Sequence, residues 1–212
     1  KGIIPKKKLV KYLPKNPVIL EAGAYNGADT LDFCRVWSEA KVYAFEPVPA
    51  VFQLLKERTA HLQQVNLFQE ALGPKTGTLP MHISSGASAG SSSLLSPKLH
   101  LDYHPDVEFK QQIDVHAITL QDWAKREQVQ KIDFLWLDLQ GAELQVLQAA
   151  GEILNTVSVI HTEVSFGEIY ENGADYLELK AWLEKAGFAV VIESFPWPDM
   201  GNAVFVRKGL GE

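Results

Sequence analysis

Short apolar runs alternate with amphipathic segments along most of this chain. VILEAG, beginning at Val18, reads as a buried strand, and the stretch from Ala28 to Ser38 carries apolar residues at helical spacing. KVYAFEP and the segment from Ala50 to His61 repeat the pattern, and QVNLFQEAL supplies a third strand. Pro74, Gly77 and Pro80 then interrupt it; TLPMHIS follows as a short extra strand, and SSGASAGSSSLLSP is dense in serine and glycine. The alternation resumes with IDVHAI as a strand, TLQDWAKRE as a helix starting near Thr119, and KIDFLWLDLQ as the most apolar strand. GAELQVLQAAGEIL places apolar residues at 144, 147, 150 and 154, the face of a helix that Gly151 weakens. VSVIHTEVSF is a further strand, DYLELKAWLEKAGF a helix stopped by Gly187, and AVVIESF with NAVFVRK a closing antiparallel pair.

Strands alternating with helices predict an α/β fold, a mostly parallel sheet with helices on both faces. With 212 residues, 46% of them hydrophobic, the chain suits one substantial core, so a single domain over 1–212 is expected. Residues 1–15 read as an N-terminal arm whose lysines, Lys6 to Lys8 and Lys11, are solvated; residues 74–112 read as an insertion that could act as a lid.

A net charge of −6 offers no broad positive field for a phosphate backbone, so nucleic acid is not an expected partner. Cys34 is the single cysteine, which excludes an internal disulfide and fits a reducing, cytoplasmic setting. No apolar run reaches the roughly 18 residues of a membrane span. Trp123, Trp136 and Trp182 are expected in the core, whereas Trp197, between two prolines, suits a stiff loop beside an acceptor.

In an open sheet of this kind the ligand lies beyond the carboxyl ends of the strands. There Gly23 and Gly27 flank Ala24, Tyr25 and Asn26, a turn that allows close approach to the backbone. Glu46 follows Gly27 by nineteen residues, at the end of the next strand, where a carboxylate can accept both hydroxyl protons of a ribose. A dinucleotide fingerprint would have glycine where Tyr25 stands, and Glu21 would repel a pyrophosphate; both count against NAD. Glu21 suits a cationic ligand instead, with capping of nearby N–H groups as its structural alternative.

EAGAYNG resembles the first motif of class I S-adenosylmethionine-dependent methyltransferases, and FEP their acidic ribose position. IDFLWLDLQGAELQVLQAA is similar to the I-D-x-x-G-x-E-x-x-V-L-x-G-A signature of FkbM-type methyltransferases; ITLQDW, SSSLL and HTEVSF also resemble that family. The resemblance runs from about residue 16 to residue 193, with Gln140 and the Ala149-Ala150 pair as departures.

It implies a Rossmann-like, seven-stranded sheet with a C-terminal antiparallel strand, S-adenosylmethionine as cofactor, and commonly a hydroxyl acceptor on a sugar, glycan or other small natural product. By the same resemblance Glu21 and Gly23 lie beside the methionine part and Asn26 beside the loop, with Ala24 and Gly27 also among the cofactor-binding residues. Glu46 and Pro47 take the ribose, Glu70 and Ala71 border the adenine, and Ser92 and Ser93 add contacts from the serine-rich loop. Asp138 belongs, by the same resemblance, at the mouth of its strand. Read from their positions, Asp138 and Glu163 are the candidate catalytic bases, with Glu163 facing the acceptor and His161 behind them; Glu143 reads as a helix cap. His161 and Glu163, two apart on a strand, share a face, and a mutually satisfied buried pair is their structural alternative. Spacing does not supply three oxygen ligands, so no metal is assigned. An NAD-linked oxidoreductase and a non-catalytic nucleoside-binding module are the competing functions.

Overall fold

The structure, a computed structural model, describes residues 4–86 and 90–210. β1 (Val18–Ala22), β2 (Lys41–Phe45), β3 (Val65–Phe68), β7 (Phe134–Leu137), β8 (Val159–Ser165), β9 (Phe188–Ser194) and β10 (Met200–Arg207) form one sheet in the order β3-β2-β1-β7-β8-β10-β9. All pairings from β3 to β8 are parallel, and β10 runs antiparallel to both of its neighbours. The sheet is thus seven-stranded and Rossmann-like, with the closing antiparallel strand the pattern implied.

Alternation along each strand divides the core in two. Leu20, Phe45, Leu135 and Ile160 face α4 (Leu120–Arg126), α5 (Glu143–Gln148) and α6 (Tyr176–Lys185). Ile19, Val42, Phe134 and Val159 face α1 (Ala28–Val36). Local chemistry sets the helix starts. The Thr119 hydroxyl accepts from Asp122 N at 3.0 Å, Asp175 accepts from Leu177 N at 2.9 Å, and Pro49 opens α2 (Pro49–Thr59).

The pattern misled at four places. QVNLFQEAL is two strands, because the chain leaves the large sheet after Phe68 and enters a second one as β4 (Ala71–Leu72). That small sheet, ordered β4-β6-β5, contains β5 (Gly77–Gly86) and β6 (Val107–Ile118), both longer than their apolar runs because exposed polar residues extend them. IDVHAI therefore pairs antiparallel with β5 and has no place in the parallel sheet. GAELQVLQAAGEIL is not one helix: α5 ends at Gln148, and the chain turns at Gly151, with a φ of +63°, into the 3₁₀ helix Gly151–Thr156. A Cβ there would come within 2.6 Å of the Gln121 side chain, so this glycine also lets α4 approach.

The fourth place is the N-terminal arm. Residues Lys6–Tyr12 form a 3₁₀ helix packed on the face of the sheet that α1 covers, with Ile4 and Leu9 buried. Lys6, expected in solvent, is 6% exposed. It forms an ion pair with Asp29 and sits 4.3 Å and 4.8 Å from the ring centres of Trp136 and Phe33. Its stem is buried apolar surface and its charge is matched by one carboxylate and two π faces.

Candidate active site

The carboxyl ends of β1, β2 and β7 open onto a cleft of about 960 Å³, its mouth included. Gly23 makes the close approach of β1 and β7 possible: its φ is +83°, and a Cβ on it would lie 2.0 Å from the Asp138 carbonyl oxygen. The turn between β1 and α1 is left-handed at Gly23, Tyr25 and Gly27, so its backbone curls around the cleft floor.

Glu46 ends β2 and is held from two sides, accepting from Tyr25 N at 3.0 Å and Val48 N at 2.8 Å. Burial raises its pKa to about 7 in spite of these two donors. Gly23, Ala24, Asn26, Glu46 and Pro47 line the cleft on one side, and Ala71, Ser92 and Asp138 on others. Met81, Gly90, Ser92 and Leu94 reach it from the segment between 74 and 112. Glu70 also contributes to the wall, but its carboxylate is committed to Arg126, at 2.7 and 2.6 Å, and to His116 at 2.8 Å. The hydrogen bonds from Arg126, with its positive charge, hold the Glu70 pKa below the ordinary value.

Three of the residues expected to bind the cofactor, Glu21, Gly27 and Ser93, do not line the cleft. Glu21 is 1% exposed and does not line the cleft; it takes a hydrogen bond from the Thr30 hydroxyl of α1. Burial pushes its pKa to about 8, outweighing the Thr30 bond, with Asp29 adding to the rise and Lys6 opposing it. At neutral pH the group is mostly an uncharged acid, so it is not the free anion that its place on the strand suggested. Gly27 packs against Leu55 of α2. Ser93 is buried and its hydroxyl donates to Gln140 O at 2.8 Å. Residues 87–89 of the serine-rich loop lie outside the described residues.

His161 does share a face with Glu163, but the two make no pair. The imidazole stacks on Trp136 at 3.5 Å between centroids, and among the described residues its Nδ1 has no hydrogen-bond partner. Burial, then the charge of Lys6, drives its pKa down to about 3, so it stays neutral beneath the cleft.

At the mouths of β7 and β8, Asp138 and Glu163 come together through a residue that sequence reading treated only as a departure. Gln140 Nε2 donates to Asp138 Oδ1 at 2.7 Å and to Glu163 Oε2 at 2.8 Å. Burial raises both carboxyl pKa values; Asp138, Glu143 and Asp199 push Glu163 higher still. Gln140 Oε1 lies 2.9 Å from the hydroxyl of Tyr170, a residue no motif had marked. Glu143 opens α5, and its carboxylate accepts from Leu139 N of the preceding turn at 2.8 Å; the N-cap position itself is Ala142, without a side-chain cap. Among the described residues, no group of three or more His, Cys, Asp or Glu is placed to hold a metal ion.

The donor set fits a positively charged adenosine derivative. Glu46 presents a buried acceptor for ribose hydroxyls, Val48, Val51, Leu72 and Met81 give an apolar slot for a flat base, and Asp138 supplies negative charge across the cleft.

Residues 21–190 match the methyltransferase FkbM domain. The chain is 32% identical over 196 residues to 2-O-methyltransferase NoeI of Sinorhizobium fredii, covering 90% of this chain and 79% of that protein. It superposes with a TM-score of 0.61 on methyltransferase FkbM from Methylobacillus flagellatus KT, at 14% identity and over 91% of its own length, but spans only 44% of that chain. Fibrillarin of Aeropyrum pernix, solved with natively bound S-adenosyl-L-methionine, superposes with a TM-score of 0.56 at 12% identity, over 94% of this chain and 74% of that one. The domain match displaces the NAD-linked reading, in keeping with Tyr25 where a dinucleotide site has glycine. The chain belongs to the FkbM family of methyltransferases, which take S-adenosylmethionine as their cofactor.

Proposed function

We propose that the enzyme methylates a hydroxyl oxygen of a sugar, glycan or similar small polyhydroxylated product. One observation carries this reading: two carboxylates, Asp138 and Glu163, converge at the strand ends, with Asp138 also lining the cofactor cleft. A hydroxyl is a poor nucleophile until its proton is taken up, and a positioned base contributes about 10² to 10⁴ in rate. S-adenosylmethionine, when bound, supplies the methyl group.

Gly23, Ala24 and Asn26 form the floor for its amino acid portion in this reading, Glu46 orients the ribose, and Asp138 or Glu163 accepts the proton of the acceptor hydroxyl. An oxygen acceptor accords with the name of the relative NoeI, a 2-O-methyltransferase. The acidic rim and the net charge of −6 favour a neutral acceptor over a nucleic acid. Among the described residues no helix is long and apolar enough to cross a membrane, and the lone buried thiol of Cys34 suits a reducing compartment; the cytoplasm is the setting proposed.

Trp197 and Phe195, 42% and 43% exposed on the loop between β9 and β10, stand at the same edge of the sheet as Glu163 and offer flat faces for a sugar ring. The test is incubation with S-adenosylmethionine carrying an isotopically labelled methyl, together with methyl glycosides and short oligosaccharides, followed by mass spectrometry. A labelled methyl ether on a sugar oxygen supports the proposal; label found only on nitrogen or on nucleic acid in a parallel extract overturns it.

A further inference from the structure

We infer that Gln140 is a positioning residue whose side-chain amide holds Asp138 and Glu163 together as ionisable partners, and that Tyr170 fixes the orientation of that amide. The inference rests on the reading of these carboxylates as the groups that serve the acceptor.

The geometry is specific. A primary amide has two N–H protons, and here each meets one carboxylate, at 2.7 and 2.8 Å. Rotating the amide would set its oxygen against two carboxylate oxygens, a repulsive arrangement, and would turn its NH₂ to Tyr170. The Tyr170 hydroxyl, 2.9 Å from Gln140 Oε1, donates to it and favours the observed orientation. The same hydroxyl lies 3.2 Å from Ser91 O, so its one proton is shared between two acceptors.

The backbone is shaped for this contact. Gln140 has a φ of +53° and Gly141 a φ of +98°; a Cβ on Gly141 would come within 3.0 Å of the Tyr170 ring, so only glycine allows the ring to close over the turn. From the other side, Ser93 donates to Gln140 O. Gln140 therefore links the serine-rich loop, through its main-chain carbonyl, to the carboxylate pair, through its side-chain amide; the same loop reaches the cofactor cleft through Ser92.

Electrostatics explains why the link matters. Glu163 feels Asp138 from the end of β7, Glu143 from α5 and Asp199 from the β9–β10 loop; Asp138 feels Asp29 from α1. Among these acids, a donor to the ionised forms keeps at least one carboxylate available as a base near neutrality. Asp199 is itself paired with His104 at 2.8 Å. Without the amide, the pair should hold a proton to higher pH.

The experiment compares wild type with Gln140→Met, which keeps an unbranched chain of similar length, and with Tyr170→Phe. Carboxyl titrations in the unliganded protein are followed by NMR with ¹³C-labelled Asp and Glu, and the resonances are assigned with Asp138→Asn and Glu163→Gln. Gln140→Met should raise the midpoints of the Asp138 and Glu163 resonances by about one to two pH units, the size of a lost hydrogen bond to a charged group. Tyr170→Phe should move them the same way by less. The acid limb of kcat should shift in parallel, while the cofactor Kd, read at a pH above both midpoints where Asp138 is ionised in both proteins, stays within about twofold.

Unchanged midpoints in well-folded Gln140→Met would overturn the inference, as would a loss of kcat equal at every pH. If Asp138→Asn and Glu163→Gln both keep wild-type kcat, it is the acceptor reading that fails, whatever the titration shows.

Discussion

Replacing Glu21 by Gln should stabilise the unliganded protein at alkaline pH, although it removes the first acidic residue of the family motif. Folded, Glu21 titrates at about 8 against an ordinary value of 4.5. A carboxyl whose pKa is raised on folding binds its proton more tightly in the native state, so its contribution to stability is fully present below about pH 4.5. That contribution is lost as pH rises towards 8. Each pH unit within the window costs about 1.4 kcal/mol, so on the order of 3 kcal/mol is lost between pH 5 and pH 8. Gln can still accept from Thr30 and does not titrate. Glu46, Glu143, Asp138 and Glu163 slope the same way, so the informative quantity is the difference between wild type and variant. Urea denaturation at pH 5, 6, 7 and 8 measures it. The variant should match wild type within about 1 kcal/mol at pH 5 and exceed it by roughly 3 kcal/mol at pH 8. A difference that stays flat with pH, or a variant less stable at pH 8, would show that Glu21 is ionised in the folded protein and refute the reasoning.

Gly23→Ala should fail at two levels, since the Cβ meets the Asp138 carbonyl at 2.0 Å and φ is +83°; a loss of several kcal/mol in denaturation and of measurable cofactor binding is expected, and wild-type stability would contradict it. Asp138→Asn and Glu163→Gln should each lower kcat for methyl transfer, at least one of them by about 10² or more, with the larger effect marking the proton acceptor. Single-turnover kinetics with labelled donor would show it. Trp197→Ala should raise KM for a saccharide acceptor by about tenfold, with cofactor Kd and thermal midpoint unchanged, because the ring is exposed on a loop; an unchanged KM removes the loop from the acceptor site.

The strand-helix alternation conveyed the large sheet because its central strands, β1, β2, β7 and β8, are buried on both faces and separated by helical segments. It could not convey the small sheet, whose strands β5 and β6 are half exposed and polar along much of their length. The placement of Gly23, Glu46 and Asp138 around one cleft was legible, since it follows from their positions at strand ends. Glu21 was legible as unusual yet misread, because its partner Thr30 and the degree of enclosure are tertiary facts. Tyr170 left no local trace: it reaches Gln140 across thirty residues, and only the absence of a side chain at Gly141 hints at a close neighbour. Lys6 deceived for the opposite reason, as a lysine beside two others reads as solvated until two aromatic faces and Asp29 are brought to it.

The central claim is that the cleft between the ends of β1, β2 and β7 holds the cofactor with its ribose on the Glu46 carboxylate. Calorimetric titration of wild type and Glu46→Gln with S-adenosylmethionine at pH 6 and pH 8 tests it most directly. Glu46 ionises near pH 7 in the free protein, so wild-type affinity should increase from pH 6 to pH 8. The variant should bind at least tenfold more weakly at pH 8 and show little of that pH dependence. Equal affinity of the two proteins at pH 8 would contradict the account.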